Sequence, residues 1–121
     1  MLQSYRELLV WQKAMDLVVL VYHLTEVFPK REIYGLAAQL RRAGVSVPSN
    51  IAEGYGRGSR KEYVQFLSIA QGSLKELETQ IILSERLAYA TIAQATRLLS
   101  EAEMVGKMLG SLIRSLKAKG V

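Results

Sequence analysis

The 121-residue chain predicts an all-α fold: an antiparallel up-down-up-down four-helix bundle, its second helix kinked at Pro48. Three observations lead there. Apolar residues recur at three- and four-residue spacing along nearly the whole chain, and strand-like alternation is nearly absent. Short segments at about Pro29–Glu32, Tyr55–Gly58 and Ala88–Ala90 divide that pattern into four. Links so short make successive helices antiparallel neighbours, and the 3-4 spacing favours crossing angles near about 20°.

The first helix carries Trp11, Ala14, Val18, Val21, Thr25 and Phe28 on one stripe, and Pro29 stops it. Its middle, Leu17 to Tyr22, is apolar almost all the way round. A bundle helix needs one apolar stripe, so surplus residues such as Val19 are expected to meet another copy of the chain. The second helix carries Ile33, Ala37, Leu40, Gly44, Val47 and Ile51, and the glycines from Gly54 to Gly58 end it. Pro48 lacks an N–H and crowds the carbonyl four residues back, at Gly44. Either Gly44 lets the backbone shift while Ser46, Ser49 and Asn50 bond the freed carbonyls, or the helix breaks at Val47. The kinked helix is the expectation.

The third helix opens at Ser59, where Ser59 and Glu62 fit a capping box. Tyr63, Phe66, Ala70, Leu74, Leu77, Ile81 and Ser84 mark its inner face. The fourth opens at Thr91, with Gln94 completing a second box, and continues through Ile92, Ala95, Leu99, Ala102, Leu109, Ile113 and Leu116. Gly72, Gly106 and Gly110 fall in helix interiors, where each costs about 1 kcal/mol against Ala. Close helix approach, within or between subunits, would offset that cost. No linker, low-complexity tract or internal repeat interrupts the single domain, residues 1–121.

Composition narrows the function classes. The chain can bury roughly two-thirds of its unfolded surface. It has no cysteine, which removes disulfides, zinc-thiolate sites and thiol nucleophiles and is compatible with a cytoplasmic location. No apolar run reaches membrane-span length, and the charged N-terminus lacks the pattern of a signal peptide. The one histidine, His23, stands near Glu26 as a surface pair, so no metal or cofactor is expected. With one histidine and one aspartate no Ser-His-Asp arrangement forms, and Glu53 has no catalytic companion. No enzyme activity is expected.

The formal net charge is +5 and unevenly spread. Residues 30–61 hold seven basic side chains against two acidic ones, and residues 105–121 hold four basic and no acidic ones. Such clustering suggests a polyanion partner. The segment GYGRGSRK, residues 54–61, is not a P-loop, because the spacing is wrong and no strand precedes it. It nevertheless sets Arg60 and Lys61 in the first turn of a helix, where the dipole disfavours cations. Local rules broken this way often mark function. Arg57, Arg60 and Lys61 with the free helix amides would hold a phosphate. The alternative is a solvated corner whose glycines serve left-handed backbone angles. Arg41 and Arg42 either pair with Glu32, Glu53 or another acid, or face the same ligand. Tyr55 and Tyr63 could stack on bases, although Tyr63 lies on the apolar stripe. Lys107, Arg114, Lys117 and Lys119 complement the C-terminal dipole of the fourth helix and need no ligand to explain them.

The stretches LLVWQKAMDLV, FPKREIYGLAAQLRRAGVSVPSNIAEGYGRGSRKEYVQFLSIAQGSLKELETQ and KMLGSLIRSLK resemble the 23S ribosomal RNA intervening-sequence protein family. The run from Ser46 to Arg57 is the most specific part. The resemblance implies a four-helix bundle that assembles as a ring-like homopentamer. A related branch serves diversity-generating retroelements, where a basic pentamer binds nucleic acid and the reverse transcriptase. No catalytic residues carry over. The matching positions Pro48, Asn50, Glu53, Gly54, Gly56 and Arg57 would be structural or functional, with Asn50 and Glu53 tying the helix to Arg41 or Arg42. The expected function is non-catalytic nucleic-acid binding, RNA ahead of DNA, by a basic homo-oligomer. Phosphates would meet Arg41, Arg42, Arg57, Arg60 and Lys61. The alternative is a scaffold docking an acidic, polymerase-like protein.

Overall fold

The computed structural model describes residues 2–119. Four α-helices account for most of them: α1 (Leu9–Thr25), α2 (Leu36–Tyr55), α3 (Arg60–Arg86) and α4 (Ile92–Lys117). Each packs on two neighbours, in the circuit α1–α2–α3–α4–α1. Single 3-10 turns precede α1 (Tyr5–Glu7) and α2 (Lys30–Glu32).

The core forms along the axis from residues such as Leu17, Leu40, Ile51, Leu74, Ile81 and Leu109, all essentially sealed from solvent. The inward stripes differ from the expected ones where a helix offers a choice. On α1, Leu17 and Leu24 are buried, while Trp11 and Val18 are only half-buried. On α3, Val64 and Leu67 replace Tyr63 and Phe66. On α4, Leu98 and Val105 go inside and Ile92 is exposed. Ile33 is 56% exposed, because the 3-10 turn delays the start of α2 to Leu36. The surplus apolar side of α1 lies open, with Val19 51% exposed beside Met15 and Tyr22.

α2 runs unbroken through Pro48, so the break considered at Val47 does not occur. The polar neighbours do something other than bond the carbonyl of Gly44. Asn50 donates to the carbonyl of Ser46 (2.8 Å) and to its hydroxyl (2.9 Å). The Ser46 hydroxyl lies 2.8 Å from that of Ser73 on α3. These groups therefore stitch α2 to α3. Two turns beyond Ser46, Gly54 brings the α2 backbone close against α3. A Cβ there would stand 2.8 Å from Cβ of Phe66 and 3.2 Å from the carbonyl oxygen of Tyr63. Gly54 is thus required by close packing inside α2 and does not end the helix.

Among the described residues no glycine takes a left-handed backbone angle. That conformation falls to Ala88, with φ 62°, in the α3–α4 turn. The amide of Tyr89 donates to the carbonyl of Ser84 (2.9 Å) and that of Ala88 to Glu85 (3.0 Å). This is a Schellman stop with alanine at the position that favours glycine. The Thr91–Gln94 capping box of α4 is complete. At Ser59 only half forms: its hydroxyl accepts from the Glu62 amide, and the Glu62 carboxylate accepts from the hydroxyl, not from the amide of Ser59.

Gly54→Ala is expected to lose about 1–3 kcal/mol from overpacking. Ala88→Gly should gain about 1 kcal/mol by relieving the left-handed strain. Urea denaturation followed by circular dichroism checks both.

Candidate nucleic-acid interface

The five cations expected to act together divide between the two ends of the bundle. Arg41 and Arg57 stand on the order of 20 Å apart along α2 and its C-terminal turn, at 1.5 Å per residue. Their surroundings differ as much as their positions.

At the end where α1 stops and α2 begins, Arg41 pairs with no acid among the described residues. Its Nε donates to the Thr25 hydroxyl (2.8 Å), and its guanidinium lies 4.6 Å from the centre of the Tyr22 ring. Those interactions lock α1 to α2, and they occupy the guanidinium. Arg42, one residue on, is exposed. Glu32, a partner considered for both, is engaged elsewhere. One carboxylate oxygen accepts from the Leu36 amide (2.9 Å) at the start of α2, the other from the Tyr89 hydroxyl (2.9 Å). Tyr89 also packs against Phe28, with ring centres 5.3 Å apart. Glu32 thus caps α2 and ties the α1–α2 connection to the α3–α4 turn. The Leu36 amide first, then the Tyr89 hydroxyl, hold its carboxyl below the ordinary 4.5.

The other end gathers the α2–α3 turn, the chain's N-terminal stretch and the close of α4. Tyr55 donates from its hydroxyl to the carbonyl of Leu2 (3.2 Å). Arg60 donates to the carbonyl of Lys119, beyond the last turn of α4. The two basic stretches, far apart in the chain, therefore share this end. Arg57 pairs with Glu53 at 3.1 Å and lies 4.8 Å from the centre of the Phe66 ring. Glu53 thus holds Arg57, and not Arg41 or Arg42 as anticipated. Tyr55 and Tyr63 meet edge to face at 6.0 Å, and burial pushes the Tyr63 phenol up. They pack on each other, so neither offers an open platform for a base. Lys61 is exposed.

A groove of about 640 Å³ lies between α3 and α4, lined by residues from Gln71 to Glu78 on α3 and from Glu103 to Arg114 on α4. Gly72, Gly106 and Gly110 form its floor, and Gln71, Lys75, Lys107 and Arg114 line its sides. A Cβ at Gly72 would meet nothing within 4 Å, so this glycine serves no close approach inside the chain. At Gly110 the nearest atom is Nη1 of Arg114, 3.3 Å away, so the guanidinium folds over the groove floor. Lys61 and Lys75 are fourteen residues apart, close to four turns, and share one face of α3. Lys107, Arg114 and Lys117 share one face of α4 by the same rule. Of these, Lys75, Lys107 and Arg114 line the groove. Sequence reasoning discounted the α4 cations because the helix dipole explained them. It missed Lys75 because no linear signal links that residue to α4. A helical wheel of α3 and α4 drawn together would have found the row.

Among the described residues no group of His, Cys, Asp or Glu could hold a metal ion, and no helix is long and apolar enough to cross a membrane.

The family model for the 23S rRNA-intervening sequence protein matches residues 6–111, so the chain belongs to that family. In structure it is similar to a protein of unknown function from the S23 ribosomal protein family of Bacteroides thetaiotaomicron. The identity is 25% and the TM-score 0.81, and the match covers 87% of this chain and 98% of the other. No curated protein matches the chain.

Glu32 generates a prediction with a defined sign. A carboxyl held below its ordinary value stabilises the fold above that value, and the contribution is lost as pH falls through the folded-state value. Glu32→Ala should therefore melt at a lower temperature than the parent at neutral pH. The gap should close as the solution is made acid enough to protonate the parent's carboxylate, which paired thermal melts across the pH range will read.

Proposed function

We propose that this member of the 23S rRNA-intervening sequence protein family is a non-catalytic nucleic-acid-binding protein that works as a cytoplasmic homo-oligomer, with RNA ahead of DNA as its ligand. One observation carries the reading: Lys75, Lys107 and Arg114 line one groove between α3 and α4, while Arg60, donating to the Lys119 carbonyl, brings the two basic stretches together at one end of the bundle. The family description, with its reference to ribosomal RNA, points the same way.

The chemistry is that of backbone recognition. Cations that neutralise phosphates release condensed counterions, so affinity falls linearly in log salt. Among the described residues no aromatic side chain lines the groove for bases to stack on, which favours sequence-independent binding over base reading. Lys61, Lys107, Arg114 and Lys117 are the principal phosphate ligands in this scheme, with Arg57 and Arg60 shaping the turn beside them. Arg41 and Arg42 fall outside it. Self-association is supported by the open apolar side of α1 around Val19. A pentamer is the assembly that family resemblance implies.

A protein-docking scaffold is the second reading, and a separate observation favours it. Val27, Ile33 and Tyr34 are exposed, Tyr34 almost completely, close in sequence to Lys30 and Arg31 at the opposite end. An acidic protein partner with an apolar spot would suit that patch.

Titration of labelled single-stranded RNA at several salt concentrations separates the two, with mass followed by light scattering. The triple variant Lys61→Ala, Lys107→Ala, Arg114→Ala should reduce the magnitude of the log–log salt slope by about 2, at ~0.7 for each phosphate partner removed from a single strand. An unchanged slope in a folded oligomer of unchanged mass would sink the groove assignment. No RNA binding at low salt would leave the scaffold in front.

A further inference from the structure

We propose that the α3–α4 groove takes a single strand, not a duplex, and that Glu78 and Glu103 mark where the bound strand must leave it. This rests on the nucleic-acid reading above and adds the class of ligand and the length of its track.

The groove is electrostatically one-ended. The cations lining it are Arg114, toward the basic end, then Lys107 and Lys75; Lys61 and Lys117 lie outside the lining, nearer the end of the bundle. Beyond them the next lining residues are Glu78 on α3 and Glu103 on α4, one on each wall. A phosphate chain laid along the groove meets attraction for on the order of 10 Å, the rise from Arg114 to Lys107 at 1.5 Å per residue. It then meets two carboxylates, and it must turn away or end there. That span suits a few nucleotides.

Width selects one strand. Packed helices stand about 8–10 Å apart, axis to axis. Helices that close are already in contact, so the furrow over their junction is no wider than about that distance, seats one backbone at its surface, and lets cations from both helices address the same phosphates. A duplex is wider than the cleft and would touch only the rims. Gly72 leaves open space, Leu74 lies against Gly106, and the Arg114 guanidinium lies over Gly110, so a sugar-phosphate chain seated there would meet that guanidinium with its bases turned to solvent.

Glu78 has a second effect. It pairs with Lys75 at 3.1 Å, its own side chain 16% exposed and that of Lys75 75% exposed. The sheltered carboxylate draws the flexible ammonium toward the acidic end and competes with phosphate for it. Removing that charge should hand Lys75 to the ligand.

The test uses the full chain with a length series of labelled oligouridylates, a duplex RNA of matching length, and the double variant Glu78→Gln, Glu103→Gln. The amides keep the side-chain shape, and a circular dichroism melt checks folding. For the parent, single strands should bind more tightly than duplex, and the single-strand salt slope should stop growing after a few nucleotides. In the double variant that plateau should move to longer strands, with a slope steeper by about 0.7 as Lys75 joins. Equal binding of strand and duplex, or a plateau and slope unchanged in the variant, would overturn this inference while leaving nucleic-acid binding intact. Failure of the parent to bind either RNA at low salt would overturn both.

Discussion

The near-contact of α2 and α3 at Gly54 is the constraint on which the rest of this molecule depends. With hydrogen in place of a side chain, the α2 backbone reaches Phe66 and Tyr63 at distances that a methyl group could not share. Ser46, Asn50 and Ser73 continue the seam two turns away. Moving along α2 from Ser46 to Gly54, the partners on α3 run back from Ser73 to Phe66. The turn between these helices has little freedom as a result. It delivers Arg57 onto the face of Phe66 and Arg60 toward the end of α4. Pro48 is buried on another side of α2, near Trp11, Met15 and Val18 of α1, in a helix that continues through it.

The two ends of the bundle have different work. At one, Glu32 and Tyr89 clasp two connections together, and Arg41 spends its guanidinium on Thr25 and Tyr22. Arg41 there holds two helices together, while Arg42 is exposed. At the other end Lys61 is exposed, and Lys75, Lys107 and Arg114 line the α3–α4 groove together with Glu78 and Glu103. Net charge alone could not distinguish these roles, because a guanidinium over a tyrosine ring and an ammonium in water count equally. Partnering distinguishes them.

The likeness to the Bacteroides thetaiotaomicron protein, at 25% identity and a TM-score of 0.81, indicates that the bundle tolerates wide change in sequence. Cores built from Leu, Ile, Val and Ala accept substitution if volume and pattern are kept. At Gly54 the margin is narrower, since a methyl group there would stand 2.8 Å from Cβ of Phe66.

Periodicity and punctuation in the chain were enough to determine four helices, their approximate limits and both N-terminal serine and threonine caps, because those depend on residues within a few positions of each other. The over-apolar first helix was legible for the same reason: too many apolar residues for one stripe leave Val19 outside. Which stripe turns inward on α1 and α4 was not legible, since several apolar positions lie a fraction of a turn apart and only the neighbouring helices choose among them. The glycines were visible but their reasons were not: Gly54 answers to Phe66, twelve residues on, and the left-handed turn fell to Ala88. The site divided in the same way. Arg57, Arg60 and Lys61 stood out in sequence because they cluster, whereas the meeting of Arg60 with Lys119 is a product of α4 ending beside the α2–α3 turn. Local spacing carries information about a helix; which charges share a surface is decided by how the helices pack.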